Sequence, residues 1–427
     1  MGEALCTDFG GVKRAQPNAV LSACSGEADP GALIAAAGQH GDQVTLRGAG
    51  HSCNGQTVTN GLLLENFSPH EAAGPHIVDV GDGYVELPAF LSWYAVEREL
   101  NTRGRAVPVL TDYLYMSVGG TLSVGGLGLN SIVHGLQVDQ VRRIRLIDGQ
   151  GTARWCSTEE HPELFRFALG GLGQVGFIDR AILRTVPYRR FGHLHRVHHA
   201  SAAEMARFAV RLAAEPDVDH YNANINGNQF YSEIGWFHAE EISPCQTPDC
   251  TIIPDLPFFL HERRERWVAA FPGRVRIWTD YVLPPDRFGT FIDTIENLRQ
   301  QPPLSGSLKG MYVLLIRRPT GFTHFAFGPA PYDSVVLGLG VYAMVDQRDA
   351  RTIVRTRQAL RSLLELCCEL GGRPYLYGMN SLDGTLLRNL YGSDLDQLAV
   401  LRHAYGLEHV NAHVLHPTPT TAVTIPS

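Results

Sequence analysis

The stretch RGAGHSCNGQ (residues 47–56) places one histidine, His51, among the glycines Gly48, Gly50 and Gly55. It directly follows QVTL, whose alternating pattern predicts a strand. Glycine has no Cβ, so its backbone approaches a ligand more closely than that of other residues. A tight turn is the usual explanation of one such loop. The alternative is that the loop brings the His51 ring against a bound group.

Two further glycine loops favour the second explanation, SVGGTLSVGGLG (residues 117–128) and LGGLGQVGF (residues 169–177). A large dinucleotide lying across several loops needs such an arrangement. The third loop contains GLGQVG, which matches the G-x-G-x-x-G pattern of nicotinamide dinucleotide sites. That site requires a strand before the loop and a helix after it. Here the helix-like PELFRFAL comes first and the strand-like FIDRAIL follows, so we do not expect a Rossmann site.

The composition is typical of a globular protein with more than one domain. The chain has 427 residues, of which 44% are hydrophobic and 19% are charged. A chain of this length usually forms two domains or two lobes. The net charge of -7, without a basic stripe, argues against nucleic-acid binding. No run of roughly 18 apolar residues occurs, so we expect no transmembrane helix and no membrane partner.

The first residues and the cysteines predict the cellular compartment. MGEALCTDFGGVKRAQ lacks the basic-then-apolar order of a signal peptide, which favours a cytoplasmic protein whose eight cysteines are thiols. Cys245 and Cys250, in CQTPDC, are the pair best able to form a disulfide or bind a metal. No second pair or nearby histidine cluster supports a zinc site, so we expect no metal.

The pattern of predicted elements changes near Tyr188. Before it, short strands alternate with helices, and VDQVRRIRLIDGQGTARWCS predicts a hairpin that turns at DGQG. After it come long apolar runs, which predict one antiparallel sheet with helices. The helical run LRNLYGSDLDQLAVLRHAYG is expected to return to the first unit. The predicted strands of the sheet are YNANINGNQFYSEIGWF, RVRIWTDYVL, LKGMYVLLIRR, FTHFAFG and SVVLGLGVYAMV.

Four segments resemble the vanillyl-alcohol-oxidase (PCMH) type of FAD-binding proteins and are most similar to cytokinin dehydrogenases. They are RGAGHSCNGQ, TDYLYMSVGGTLSVGGLG, HGLQVDQVRRIRLIDGQG and LGGLGQVGFIDRAIL. The resemblance is strong over residues 35–188. It implies a two-lobed α+β fold with an FAD-binding domain of two α/β subdomains over residues 1–188. A cap domain for the substrate, an antiparallel sheet flanked by helices, would cover residues 189–385, and residues 386–427 would return to the FAD domain.

The resemblance also implies a covalent flavin. In this family the histidine of GHS bonds to the flavin ring, and that residue is His51 here. The alternative is that His51 only forms hydrogen bonds within its loop. Some members have a second link through a cysteine just ahead of the VGG loop. TDYLYMSVGG contains no cysteine, and Cys53 lies in a different loop, so we expect a single link.

The same resemblance assigns the residues that bind FAD. Gly173 and Gly176 are interpreted as structural turns in the third loop, and His134 as a histidine of the core or behind the site. The expected cofactor-binding residues are Gly48, Gly50, Ser52, Gln56, Ser117, Gly119, Gly120, Ser123, Leu127 and Ile178.

Asp112, in TDYLY, is the candidate catalytic base. An aspartate in such a pair is often a turn or cap residue. In cytokinin dehydrogenases the aspartate of the corresponding segment accepts a proton from the substrate amine. Loss of a hydride from carbon requires that a proton also leave, and a carboxylate near the N–H or O–H can accept it.

The expected function is an FAD-dependent oxidase or dehydrogenase that takes hydride from a C–N or C–O carbon of a small molecule, as in cytokinin dehydrogenases. Leu110 replaces the tryptophan of the family's segment, and Val124 stands where those enzymes commonly have asparagine. The alternative is therefore an FAD-linked oxidase of specialised metabolism with a bulkier amine, alcohol or ring-closing substrate. A redox-inactive flavin carrier is a third reading. The sequence does not choose between oxygen and a quinone as electron acceptor, and it leaves the oligomeric state open.

Overall fold

The computed structural model describes residues 5–24, 29–69, 71–214, 218–244, 246–330 and 333–415. Within these residues the chain forms twenty strands, eleven α-helices and two short 3-10 helices. The strands are β1 (Cys6–Thr7), β2 (Arg14–Ala15), β3 (Ala19–Ser22), β4 (Val44–Arg47), β5 (Leu62–Glu65), β6 (Val78–Gly81), β7 (Tyr84–Pro88), β8 (Arg105–Ala106), β9 (Val141–Ile147), β10 (Ala153–Cys156), β11 (Phe177–Arg184), β12 (Val186–Pro187), β13 (Phe191–His199), β14 (His220–Asn226), β15 (Gln229–His238), β16 (Cys250–Pro254), β17 (Arg274–Leu283), β18 (Leu308–Arg317), β19 (Val335–Asp346) and β20 (Arg373–Pro374). The helices are α1 (Pro30–His40), α2 (Trp93–Thr102), α3 (Val118–Leu122), α4 (Ser131–His134), α5 (Pro162–Ala168), α6 (Ala202–Ala214), α7 (Leu256–Ala269), α8 (Pro285–Arg299), α9 (Leu304–Ser307), α10 (Ala350–Glu369) and α11 (Gly384–Ala404).

Two sheets carry the glycine loops. The first is a parallel three-stranded sheet in the order β3-β5-β4, and the first glycine loop begins where β4 ends. Helix α1 connects β3 to β4; the side chain of Asp29 accepts a hydrogen bond from the Ala32 N–H at its start, and Gly41 ends it. The second sheet is antiparallel, in the order β10-β9-β11-β7-β6. The predicted hairpin is confirmed as β9–β10, and β11 leaves the third glycine loop after α5, the reverse of the Rossmann order.

The largest sheet is antiparallel and has eight strands in the order β16-β13-β15-β14-β18-β19-β17-β20. Its central strands are buried on both faces. On one face the Tyr281 hydroxyl donates to the Leu360 carbonyl of α10, and its ring contacts Phe291 of α8. The alternate residues on β17 and β18 face the other way and line a cavity, so this sheet forms one wall of the candidate site.

The segment FTHFAFG is not a strand, which corrects the prediction from its alternating pattern. Phe325 and Phe327 are buried because they pack against Phe165 and Phe167 of α5. The backbone of this segment forms a hydrogen bond to a helix instead of to a neighbouring strand: the Ala326 N–H donates to the Arg166 carbonyl of α5 at 3.2 Å. The alternation of apolar and polar residues in this segment therefore arises because a loop buries its aromatic rings, and it does not indicate a strand.

A buried ion pair joins the eight-stranded sheet to the HGLQVDQ segment. The side chains of Arg318, which follows β18, and Asp139 are 1% and 0% exposed, and the Arg318 Nε donates to the Asp139 Oδ2 at 2.9 Å. Asp139 also accepts from the Leu136 N–H at 2.9 Å. The aspartate of this motif therefore has a structural partner that lies far along the chain.

We expect Arg318→Met to lower the free energy of unfolding by about 3–5 kcal/mol, because it leaves the Asp139 charge buried without its partner. Urea denaturation at neutral pH measures the loss. Arg348→Met is the matched control, since its pair with Asp346 is exposed to solvent, which screens the attraction, and its loss should change the stability little. Equal effects of the two changes would contradict the expectation.

Glu97 of α2 gives a pH-dependent prediction. It is buried, and its Oε2 accepts from the Val107 N–H at 2.8 Å. Burial raises its pKa from 4.5 to about 8 despite this bond. Between these two pH values the folded chain holds a proton that the unfolded chain has lost, so the free energy of unfolding falls as the pH rises.

We expect Glu97→Gln to remove this fall, which is on the order of a few kcal/mol at about 1.4 kcal/mol per pKa unit. Urea denaturation of the variant at pH 5 and pH 8, compared with the parent protein, measures it. Glu99→Gln, on the same helix but with a partly exposed side chain paired to Arg103, should keep the parent slope. If the free energy of unfolding of Glu97→Gln fell with pH as steeply as that of the parent protein, Glu97 would not be the group that holds the proton.

No helix in the described ranges combines the length and the apolar character that crossing a membrane requires.

Candidate active site

The three glycine loops meet around one cavity. Its empty volume is about 1600 Å³, which includes space open to solvent. The structure brings all the site residues named from the sequence to this cavity. Its lining includes His51, Asp112, Gly48, Gly50, Ser52, Gln56, Ser117, Gly119, Gly120, Ser123, Leu127 and Ile178.

The first two loops touch each other. A Cβ added to Gly48 would lie 2.1 Å from the Ser117 Oγ, so any side chain at Gly48 would separate the loops. The Ser117 Oγ in turn accepts from the Gly120 N–H at the start of α3, at 3.2 Å. The missing Cβ atoms keep the backbone of both loops at the wall of the cavity.

Ser52 and Gln56 line the cavity, but their side chains also hold the His51 loop in place. The Ser52 hydroxyl donates to the Asp8 Oδ2 at 3.2 Å, and the Gln56 Nε2 donates to the Leu376 carbonyl at 2.8 Å. Asp8 also accepts from the Gly55 N–H at 2.6 Å. Burial raises the pKa of Asp8, although these bonds oppose the shift. No motif around this early aspartate indicated that it shapes the loop.

Asn411 joins the first and third loops from the far end of the chain. Its side-chain oxygen accepts from the Leu46 N–H at 2.8 Å, and its amide group donates to the carbonyls of Leu172 and Gly173, each at 3.2 Å. Asn411 itself lines the cavity. Sequence reasoning missed this residue because nothing near it in the chain marks it as functional.

Arg402 of α11 supports the same junction. Its guanidinium donates to the Gln174 carbonyl at 2.8 Å and to the carbonyls of Leu407 and Val410 at 2.6 and 2.8 Å. Gly173 and Gly176, interpreted as turns, have φ of 67° and 132°, which L-residues rarely adopt. The third loop is therefore held by its own turns and by the segment after α11.

His51 lies between two aromatic rings. The Phe9 ring stacks on it at a centroid distance of 3.9 Å and an interplanar angle of 17°, and Tyr113 stacks at 4.9 Å. Burial lowers the pKa of His51 to about 4, and the nearby Asp112 only partly opposes this shift. The imidazole is therefore neutral near pH 7 and keeps a nitrogen lone pair.

Asp112 lines the cavity and is ion-paired. The Arg264 Nε donates to the Asp112 Oδ2 at 2.7 Å, and a second guanidinium nitrogen donates to the same oxygen. Burial lowers the pKa of Arg264, but Asp112 and the Tyr342 hydroxyl outweigh it and the net shift is upward. Arg264 is a permanent positive charge within the site, and the sequence did not reveal it.

A second carboxyl group, that of the buried Asp280 of β17, also lines the cavity. Its Oδ2 accepts from the Tyr377 hydroxyl at 2.6 Å, and its Oδ1 from the Tyr342 hydroxyl at 3.3 Å. Burial raises its pKa to about 6, which these hydrogen bonds only moderate. A lone acid in the apolar run RVRIWTDYVL was a usable signal, because unpaired carboxylates are rare in buried strands.

His134 does not belong to the cavity lining among the described residues. Burial lowers its pKa to about 4, with smaller effects of Arg184 and Arg189 in the same direction.

The expectation about the cysteine pair needs a correction. Cys245 lies outside the described residues. The Cys250 Sγ is 3.1 Å from the His193 Nε2, and the His195 Nε2 is 3.1 Å from the same nitrogen. We expected no metal because no histidine cluster lies near Cys250 in the sequence. That reason was wrong, because the pairing of β13 with β16 brings the two histidines to Cys250 in the folded chain.

Comparison with known proteins places an FAD-binding domain in the first part of the chain. Residues 18–157 match a family model described as "FAD binding domain". Cytokinin dehydrogenase 2 of Arabidopsis thaliana is 37% identical over 186 residues, which cover 43% of this chain and 36% of that protein. Cytokinin dehydrogenase 1 of Oryza sativa subsp. japonica is 36% identical over 219 residues, or 50% of this chain and 41% of its own length. The "Uncharacterized oxidoreductase ORF5 in fasciation locus" of Rhodococcoides fascians is 32% identical over 182 residues, 43% of this chain and 41% of that protein. The chain thus spans well under half the length of these relatives.

Proposed function

We propose that this chain, which contains an FAD-binding domain and is similar to cytokinin dehydrogenases over part of its length, is an FAD-dependent oxidoreductase. Its reaction removes a hydride from a carbon bonded to nitrogen or oxygen in a small molecule. The observation that carries the proposal is the cavity itself, which is lined both by the glycine loops and by two carboxyl groups, the partly exposed Asp112 and the buried Asp280. The two-lobed division into residues 1–188, 189–385 and 386–427 is part of the proposal. It is supported by the eight-stranded sheet, because all of its strands, from β13 to β20 along the chain, lie within residues 189–385.

The residues present fit FAD. Cβ atoms at Gly48 and Gly120 would meet the Ser117 Oγ at 2.1 and 2.7 Å, so the loops form a cradle made of backbone. FAD bound there supplies the acceptor for the hydride. His51 would hold it through a single covalent bond, which its neutral ring and its place on the cavity wall support. The remaining cofactor-binding residues keep their predicted roles.

The proton of the substrate N–H or O–H requires a base, and the chain offers two. Asp112 is the base that the resemblance implies, with Arg264 fixing one of its oxygens and leaving the Oδ1 for the substrate. Asp280 is the second candidate, because its pKa of about 6 suits proton transfer near neutral pH and Tyr377 can extend its reach into the cavity. A carboxylate correctly placed for this step contributes about 10²–10⁴-fold in rate.

The cavity wall formed by the large sheet favours a flat, unsaturated substrate. It carries the rings of Trp278, Tyr312 and Tyr342, and the rings of Tyr375 and Tyr377, which follow β20, also line the cavity; aromatic rings of this kind stack on planar groups. An N6-alkenyl adenine of the cytokinin type is the first substrate class we propose. Val124, which lines the cavity where cytokinin dehydrogenases commonly have asparagine, favours the alternative of a bulkier amine, alcohol or ring-closing substrate. Oxygen or a quinone would then reoxidise the flavin.

An absorbance spectrum of the purified protein tests the cofactor, and anaerobic addition of isopentenyladenine tests the substrate. We expect yellow colour, and bleaching of the flavin band if the substrate is a cytokinin. Colour without bleaching supports the alternative substrate class, for which amines and alcohols are screened in the same way. A protein that stays colourless after addition of FAD would refute the proposed function.

A further inference from the structure

A cluster of two histidines and one cysteine lies away from the cavity, at the edge of the large sheet. His193 and His195 are two residues apart on β13, so both side chains lie on the same face of the sheet. β16 is the edge strand beside β13, and its first residue, Cys250, pairs directly with His195. Directly opposed side chains on neighbouring strands have Cβ atoms about 4.5–5.5 Å apart, which brings all three side chains together.

The three side chains direct their metal-binding atoms at one point. The His193 Nε2 is 3.1 Å from the Cys250 Sγ and 3.1 Å from the His195 Nε2, and all three atoms lie within 4.8 Å of one another. Zinc bonds of about 2.0–2.1 Å to nitrogen and 2.3 Å to sulfur, at tetrahedral angles, separate ligand atoms by about 3.3–3.6 Å. The observed spacing needs only a small rotation of the side chains to accept an ion.

We propose that His193, His195 and Cys250 bind Zn²⁺, with water or another donor in the fourth position. Two imidazole nitrogens and a thiolate form a donor set that suits zinc, whereas Mg²⁺ and Ca²⁺ prefer oxygen ligands. The cysteine thiol releases its proton to solvent when the sulfur binds the ion. Trp236 of β15 lies beside both histidines, with ring centroids 5.8 and 5.9 Å away, and shields one side of the cluster.

The position of the cluster gives the ion a structural role. Among the strands of the described part of the chain, β16 pairs only with β13, and it leads directly into α7. Helix α7 carries Arg264, the partner of Asp112, and His261, whose Nδ1 accepts from the Leu114 N–H at 3.2 Å. Zinc would fasten the edge strand at the point from which this helix reaches the cavity. The inference does not depend on the reaction proposed for the cavity.

Metal binding is measured on the full, untagged protein. Zn²⁺ affinity is obtained by competition with a chromogenic chelator, and the protein with Co²⁺ in place of Zn²⁺ reports the ligands through its absorbance. We expect one equivalent of tightly bound Zn²⁺, and with Co²⁺ the intense visible bands of a four-coordinate site with a sulfur-to-cobalt charge-transfer band. Cys250→Ser should remove the sulfur band. His193→Ala and His195→Ala should each weaken binding by more than about 100-fold, the upper end of what loss of an outer-shell partner costs.

His198→Ala is the matched control. His198 lies on the same strand but on its other face, where it is exposed and 3.6 Å from a carboxylate oxygen of Asp249, so its loss should leave Zn²⁺ affinity unchanged. Circular dichroism confirms that each variant is folded. A Co²⁺ spectrum of the parent protein without the sulfur band overturns the proposal whatever the variants do. So does Zn²⁺ binding that is less than stoichiometric, or that survives all three ligand changes.

Discussion

Asp112→Asn is expected to slow reduction of the flavin by substrate by about 10²–10⁴-fold while the protein keeps its flavin. An amide oxygen still accepts a hydrogen bond from Arg264, so the shape of the site is retained, but the amide does not accept a proton from the substrate. The rate is measured by anaerobic stopped-flow absorbance at saturating substrate, with whichever compound bleaches the flavin in the screen. Flavin content is matched between samples so that only the chemical step is compared.

Asp280→Asn is the matched comparison, because both carboxyl groups line the cavity. If Asp112 is the base, this second change has the smaller effect. If Asp280 is the base, the order is reversed, and the rate for the parent protein falls as the pH drops below about 6, where Asp280 becomes protonated. That pH dependence should disappear in Asp280→Asn. An unchanged rate in Asp112→Asn would exclude Asp112 as the base.

His51→Ala is expected to release the flavin from the protein on acid denaturation. In the parent protein we expect the yellow colour to stay with the precipitate, because a covalent bond survives unfolding. In the variant the colour should move entirely to the supernatant, since the glycine loops still bind FAD but nothing links it. Absorbance of the two fractions measures the change.

Two controls separate the link from general damage to the site. His134→Ala removes a histidine outside the cavity lining, and Cys53→Ser removes the thiol that lies in the same loop as His51, two residues further on. Burial raises the pKa of Cys53 well above its usual value, so this thiol is not a ready nucleophile. Both variants should keep the colour in the precipitate. A yellow precipitate from His51→Ala would mean that another residue forms the bond, and a yellow supernatant from the parent protein would mean that the flavin is not linked.

The parts of the site that could be predicted are those encoded locally. The glycine loops have a local cause, since close approach of the backbone needs glycine at particular positions, and Gly48 shows that cause directly. The order of helix, loop and strand around residues 169–177 could also be predicted from the sequence, and the structure confirms this order, which is the reverse of that in a Rossmann site. Residues predicted within these loops do lie along the cavity, although their roles are still predictions.

Arg264 and Asn411 were missed because long-range packing brings them to the site, whereas Asp280 had a local signal, an acid within an apolar strand, that was not used. Arg264 lies in α7, whose sequence LPFFLHERRERWVA mixes charged and apolar residues without a clear helical stripe, so even the helix gave no sequence signal. Asn411 is 365 residues away from Leu46, and its side-chain oxygen accepts a hydrogen bond from the Leu46 N–H. The partners of Cys250 were missed for the same reason, because the register between β13 and β16 is a property of the folded sheet.

The contacts of Asn411 and Arg402 also determine when the site can form during biosynthesis. Asn411 holds the loops that follow β4 and α5, and Arg402 holds the second of them, yet the ribosome adds both residues after the other residues that line the cavity. A nascent chain that ends before residue 402 therefore lacks these bonds. We expect the two loops to reach their final positions only after residue 411 has left the exit tunnel.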